Sequence, residues 1–126
     1  MTIQKALDLI DEMKPSQISE EQKIAWLSQL DERIFREILL THEKDPEMPA
    51  TFTGYTPATD RETELLARAP YDEIYRFYLE MQIDLADMEI DKYNNSMILY
   101  NNAWLELARM WRKGHMPLGR GTTWRF

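Results

Sequence analysis

Apolar residues recur at steps of three and four along most of this chain, the spacing of helices with one covered side. Ile3, Ala6, Leu7, Ile10 and Met13 form the first stripe, and Thr2 stands where a capping residue belongs. Pro15 closes this helix, because the residue before a proline avoids the helical region. Ser19-Glu20-Glu21-Gln22 then reads as a capping box, with Ser at the cap and Gln three residues on. The helix it opens is predicted to run to about Leu40. Its covered side would hold Ile24, Leu27, Leu30, Ile34 and Ile38, widened by Trp26 and Phe35. Its far side would carry Asp31, Glu32, Arg33, Arg36 and Glu37.

The periodicity stops over residues 43–70. Pro46, Pro49, Gly54, Pro57 and Pro70 fall here among five threonines, while Met48, Phe52 and Tyr55 supply apolar surface. A connection this long inside a small domain is usually functional or disordered. Its aromatic residues favour an ordered loop packed on the rest of the protein. Thr63-Glu64-Leu65-Leu66-Ala67 has the make-up of a single helical turn.

Residues 71–112 carry the strongest helical signal. Ile74, Tyr78, Met81, Leu85 and Met88 form one stripe. A second runs through Leu79, Ile83, Ala86, Ile90, Tyr93, Met97, Tyr100, Trp104, Leu107 and Trp111 without breaking its seven-residue period. One continuous helix of about 40 residues would be about 60 Å long. A helical hairpin turning near Asp91 to Asn95 suits a small monomer better. The unbroken period favours the first and compactness the second; a hairpin or sharp kink is the expectation adopted. Trp104, on the unbroken stripe, is expected in the core, where truncation to Ala costs about 3–5 kcal/mol. Gly114 ends the element. The expected fold is therefore all-α: a small bundle with long C-terminal helices, an irregular loop at about 43–70, one domain over 1–114, and an extended tail over 115–126.

Composition narrows the chemistry. The chain has 126 residues, enough for one domain, with a net charge of −7 and no cysteine. Disulfides, thiol catalysis and thiolate metal sites are excluded together. The acidic balance argues against nucleic acid as the main partner of the folded surface. The segment Met1 to Asp8 meets a charge before any apolar run develops, so neither a signal peptide nor a membrane span is expected. The only histidines, His42 and His115, are far apart and fall near expected helix ends, where a cation is favoured. No zinc or di-iron spacing is present. Glu80, Asp84, Asp87 and Asp91 recur at steps of four, three and four and share one helix face, reading as a solvated strip, as a partner for basic residues of another copy, or as a cation site or acid/base pair. Catalysis would need carboxylates in two distinct environments, and no nucleophile motif or phosphate loop accompanies them. No catalytic residue, metal site or cofactor is expected.

Two features remain. Tyr93-Asn94-Asn95 and Tyr100-Asn101-Asn102 are identical triplets seven residues apart, so on a helix they occupy one face in successive layers. Helix interiors disfavour Asn, and Asn beside an apolar seam specifies register or partner number. These six residues are the candidate subunit interface; Asn on a solvent edge is the plainer alternative. Charge is also segregated. All 22 acids precede residue 109, after which Arg109, Arg112, Lys113, Arg120 and Arg125 are interleaved with Trp111, Trp124 and Phe126. A basic helix end complements its own dipole. A tail docking on a partner through Arg and aromatic anchors is the functional alternative, and binding of nucleic acid a third.

Several segments together resemble a family of head–tail connector, or adaptor, proteins of Firmicutes phages and prophages. They are Ser19 to Leu30, Ile34-Phe35 to His42, Thr59-Asp60 through Glu64-Leu65-Leu66, Pro70-Tyr71, Tyr93-Asn94-Asn95 through Tyr100-Asn101, and His115-Met116-Pro117. No single motif is specific, but their order is. The resemblance implies a mostly helical, non-enzymatic virion protein that assembles in the bacterial cytoplasm as a homo-oligomeric ring under the portal. It implies the portal protein and other copies of itself as partners, with a head-completion stopper or tail protein next in line. DNA would pass through the channel without being bound specifically, and no membrane would be involved. A C-terminal segment gripping the portal carries over loosely onto His115, Arg120, Trp124, Arg125 and Phe126, since Gly119 to Phe126 match no family pattern.

Overall fold

The computed structural model describes residues 1–118. Four helices follow in order: α1 (Ile3–Met13), α2 (Glu20–Ile34), α3 (Glu73–Ala86) and α4 (Ile90–Gly114). Among the described residues there is no named strand, and the all-α expectation holds.

The starts of α1 and α2 are each set by a side chain that satisfies an orphan backbone donor. Thr2 Oγ1 accepts from the Lys5 amide at 3.1 Å, and Ser19 Oγ from the Gln22 amide at 3.2 Å. α1 ends ahead of Pro15 and buries Ile3, Ala6, Leu7 and Ile10, while Met13 at its end is exposed. α2 continues into a π turn, Phe35–Leu39, marked by the Leu40 amide reaching the Phe35 carbonyl at 2.9 Å. The wider turn shifts the helical register, and Phe35 and Ile38 both face inward there. One residue departs from the expected pattern of α2. Asp31, assigned to its polar side, is fully buried among Leu27, Leu30 and Ile34.

The connection between α2 and α3 is ordered. Phe52 packs on Phe35 at 6.1 Å and meets Tyr55 edge-on at 5.1 Å. Gly54 turns the chain with φ +90°, and a Cβ there would stand 3.0 Å from Ser28 Oγ. That hydroxyl accepts from the Tyr55 amide at 2.9 Å. The helical turn expected at Thr63–Ala67 is instead an extended strap. It pairs with the chain's first residues through Ile3 N to Thr63 O at 3.1 Å and Leu65 N to Met1 O at 2.9 Å. The pairing buries Leu65, Leu66 and Ala67 in the core, which a short solvent-facing turn would not do.

The long helical region is a hairpin, and α3 and α4 share the most extensive helix contact in the fold. The turn lies at Asp87–Glu89, a few residues before the expected Asp91–Asn95. The Met88 amide reaches the Leu85 carbonyl at 3.1 Å, and the Glu89 amide the Asp84 carbonyl at 2.9 Å. This is the Schellman arrangement, with Met88 at φ 59° in the left-handed position that glycine usually takes. The seven-residue period crosses the turn because both helices face one core. Leu79 and Ile83 of α3 and Tyr100, Leu107 and Trp111 of α4 are buried, whereas Ala86 and Ile90 beside the turn are exposed. Leu85 and Met88, placed on the other stripe, are also exposed.

Beyond α4 the chain does not leave the domain at once. His115 stacks on Trp111 with centroids 4.0 Å apart and contacts Asp45 at 3.0 Å. The Glu43 amide reaches the Met116 carbonyl at 2.9 Å, and the Leu118 amide the Thr41 carbonyl at 2.8 Å. Residues 115–118 thus lie back against residues 41–45.

Candidate interaction surface on the fourth helix

α4 is 25 residues long and α3 only 14, so α4 projects past its partner. Its inner side is tied to α2 and α3. Tyr100 is buried, packs on Tyr78 at 5.1 Å, and takes a hydrogen bond from Arg33 Nη1 at 2.7 Å. The Arg33 guanidinium also lies 3.8 Å above the Trp104 ring. Trp104 is thus half-buried under a cation and not fully in the core, as the stripe suggested. Burial raises the hydroxyl pKa of Tyr100, with Arg33 pulling the other way.

The two Tyr-Asn-Asn triplets split by residue type. Tyr93 and Tyr100 face the bundle, Tyr93 half-buried and Tyr100 buried, whereas Asn94, Asn95, Asn101 and Asn102 are exposed. Tyr100 therefore serves this chain's own packing. The four carboxamides flank Ile98 and Leu105, each 56% exposed, on the side of α4 turned away from the core. Asp91 lies at the start of the same face and Arg109 and Arg112 at its end, all exposed. Sequence reading singled out the asparagines but passed over Ile98 and Leu105. The signal was present: they stand seven apart, in the same rhythm as the repeated triplets.

The acidic strip is dissolved by the hairpin. Asp84 is buried, where it accepts from Ser96 Oγ at 2.7 Å and faces the Lys14 ammonium at 2.5 Å, joining α1, α3 and α4. Glu80 lies 3.7 Å from Arg76 on its own helix, Asp87 sits in the turn, and only Asp91 belongs to α4.

Both histidines close helical segments. His42 Nδ1 lies 2.8 Å from the Ile38 carbonyl, and His115 Nδ1 lies 3.0 Å from the Trp111 carbonyl, each four residues back. Asp45, opposite His115, has its carboxyl held below the ordinary range, first by the Glu47 amide and then by His115. His115 is thus engaged within the domain. The other residues assigned to a partner-binding tail, Arg120, Trp124, Arg125 and Phe126, lie outside the described residues.

A further buried polar centre is Asp31, which sequence reading missed. Its Oδ2 accepts from Tyr55 Oη at 2.5 Å and from the Leu66 amide at 3.1 Å, and its Oδ1 from Tyr75 Oη at 2.6 Å. Tyr75 in turn accepts from the Ala67 amide at 2.7 Å. Burial pushes the Asp31 carboxyl up to about 6, against the downward pull of these bonds and of Arg68. Burial and the same carboxyl raise both tyrosines. The cluster joins α2, α3 and the strap, and its position inside the core makes it structural.

Among the described residues no three His, Asp or Glu side chains gather as a metal site, and no helix is long and apolar enough to cross a membrane. Among the described residues, the outer face of α4 is one arrangement open to contact with other molecules. Compared with models of known families, with curated proteins and with solved structures, the chain matches none.

Proposed function

We propose that this protein is a non-enzymatic structural component of a phage or prophage virion, a head–tail connector that joins a ring beneath the portal during head completion and tail attachment. The observation that carries the reading is the uncovered side of α4, a 25-residue helix whose outward face combines two aliphatic residues with four asparagines. A monomer gains nothing from such a face, whereas an assembly can cover it. The order of the segments resembling phage connectors supplies the particular assembly. The acid-rich composition suits a channel through which DNA slides without sticking. Portal protein and neighbouring copies are the primary partners, and a stopper or tail protein the next. The protein would act in the host cytoplasm during assembly and afterwards in the virion.

The experiment is native mass spectrometry of the protein mixed with the portal encoded beside its own gene. A complex holding several copies per portal ring is the expected result. The same mixture with residues 118–126 deleted, at low and high salt, tests the tail. Loss of capture on deletion supports docking through the tail, and equal capture by both forms refutes it. Capture of DNA by the full-length form alone would favour a nucleic-acid role for Arg120 and Arg125. No complex with portal under any condition would sink the connector reading.

A second reading is a small helical regulatory or binding module that acts as a dimer. One observation favours it: charge along the outer face of α4 runs from Asp91 to Arg109 and Arg112. That order suits a helix pairing with a reversed copy of itself.

A further inference from the structure

We propose that the outer face of α4 pairs with the same face of a second copy in an antiparallel, two-fold symmetric dimer of the free protein. The inference deepens the second reading above, on which it rests, and does not depend on the connector reading.

The face follows from helical geometry. At 100° per residue, Asp91, Asn94, Ile98, Asn101, Leu105 and Arg112 fall within about 80° of arc on α4. The opposite side holds the buried Ser96, Tyr100, Leu107 and Trp111. The outward stripe thus has an acidic start, an apolar middle edged by amides, and a basic end. All six of its residues are exposed. Among the described residues, neither Asp91 nor Arg112 takes part in an ion pair, although nearby Lys92 pairs with Glu89.

Charge then selects one orientation. In a parallel pair, Asp91 would face Asp91 and Arg112 would face Arg112, repelling at both ends. In an antiparallel pair with its axis between Asn101 and Asn102, Ile98 of one copy meets Leu105 of the other. The same register sets Asp91 against Arg112 and Asn94 against Arg109. Asn101 and Asn102 meet across the axis, where carboxamides can both donate and accept. Every contact occurs twice, as an isologous interface requires. Ile98 and Leu105 alone define this register, and the charges agree with it independently.

The contact is modest. Asp91 to Arg112 spans about 31 Å along the helix. A strip this long and one helix wide falls below the roughly 1,000 Å² expected of a stable interface. Dissociation in the tens to hundreds of micromolar is therefore expected. A two-fold contact closes on itself and cannot build a ring. The dimer would be a form of the unassembled protein, and its loss and the loss of portal capture are separable outcomes.

Sedimentation equilibrium of the full chain up to about 1 mM is the test. A monomer–dimer equilibrium is expected, weakened at least tenfold by Leu105→Asp, an exposed position whose change leaves the melting temperature in place. Asp91→Arg should also weaken dimerisation, and the reciprocal pair Asp91→Arg with Arg112→Asp should restore it. Because the chain has no cysteine, geometry can be read directly. Ile98→Cys mixed with Leu105→Cys should give a heterodisulfide on mild oxidation, whereas Ile98→Cys alone should not cross-link. A monomer at every concentration overturns the proposal. So does a dimer indifferent to Leu105→Asp, or a disulfide between two Ile98→Cys chains, which reports parallel pairing. If deleting residues 119–126 is needed before any dimer forms, the tail occupies the face and the proposal fails for the full chain. A monomeric wild type that loses portal capture on Leu105→Asp assigns the face to the portal instead.

Discussion

Replacing Asp31 by Asn removes one charge from the core with almost no change of shape. The carboxylate serves three donors: the Leu66 amide and the Tyr55 and Tyr75 hydroxyls. A carboxamide has one oxygen and one amino group. If its oxygen keeps the Leu66 and Tyr55 bonds, its amino group faces Tyr75, whose hydroxyl already accepts from Ala67. The Tyr75 proton then has no acceptor, at a cost of about 1–3 kcal/mol. The lost charge works in the other direction. Burial lifts the Asp31 carboxyl from the ordinary 3.8 to about 6, so the folded state holds its proton more tightly than the unfolded chain. The stabilisation from that proton is complete below 3.8 and is lost as pH rises through about 6. The gap corresponds to about 3 kcal/mol. Near pH 4 the wild-type carboxyl is itself protonated and offers an acceptor oxygen and a donor much as the carboxamide does, so Asp31→Asn should lie within about 1 kcal/mol of wild type there. Near pH 7 it should be equal or more stable, because only the wild type then carries a buried charge. Urea unfolding of both proteins at pH 4, 5, 6 and 7 measures the difference, in which other carboxylates cancel to the extent that they do not touch Asp31. A difference independent of pH, or one growing in favour of the wild type toward neutrality, would show that the three hydrogen bonds outweigh burial.

Trp104→Ala should cost about 1–3 kcal/mol, below the range of a fully buried Trp, because Arg33 and solvent share its surface; thermal melting decides, and a loss near 5 kcal/mol would place it in the core after all. Met88→Gly should raise stability by about 0.5–1 kcal/mol by relieving a left-handed backbone at an exposed position, net of the entropy a glycine loses on folding; a lower melting temperature would contradict the turn described. Leu65→Ala should cost about 2–5 kcal/mol, as for any fully buried leucine; a loss under 1 kcal/mol would mean that the strap is not part of the core.

Much of the helical architecture was legible because caps and stripes agreed. Thr2, Ser19 and Pro15 mark ends through chemistry that depends on one or two neighbours, and the structure keeps all three. The hairpin turn lacked such a mark. Its left-handed residue is Met88, which carries no preference for that conformation, while Asp91 to Asn95, where the turn was expected, already lie inside α4. The strap was hidden for a different reason. Leu65-Leu66-Ala67 has no periodicity of its own, and its burial depends on pairing with residues far away in sequence. Asp31 was misplaced by its type, although its position among Leu27, Leu30 and Ile34 put it on the covered arc. On α4 the asparagines of the repeated triplets lie on the exposed face. Their tyrosines point to the opposite side, and the aliphatic pair at the centre of the face was overlooked beside the longer inner stripe.

The strap also orders events in time. α3 and α4 meet through contacts between near neighbours in sequence, which form quickly because little chain must be closed. Residues 1–4 find their partners only at residues 61–65, and Asp31 completes its bonds only when Tyr55, Leu66 and Tyr75 have all arrived. On a ribosome, α1 and α2 would emerge with an unclosed core and an unmatched carboxyl, and would wait until Tyr75 had left the exit tunnel. The hairpin that follows can begin to form before that wait is over, so docking of two partly made halves, with the strap drawn between them, becomes the late step of folding.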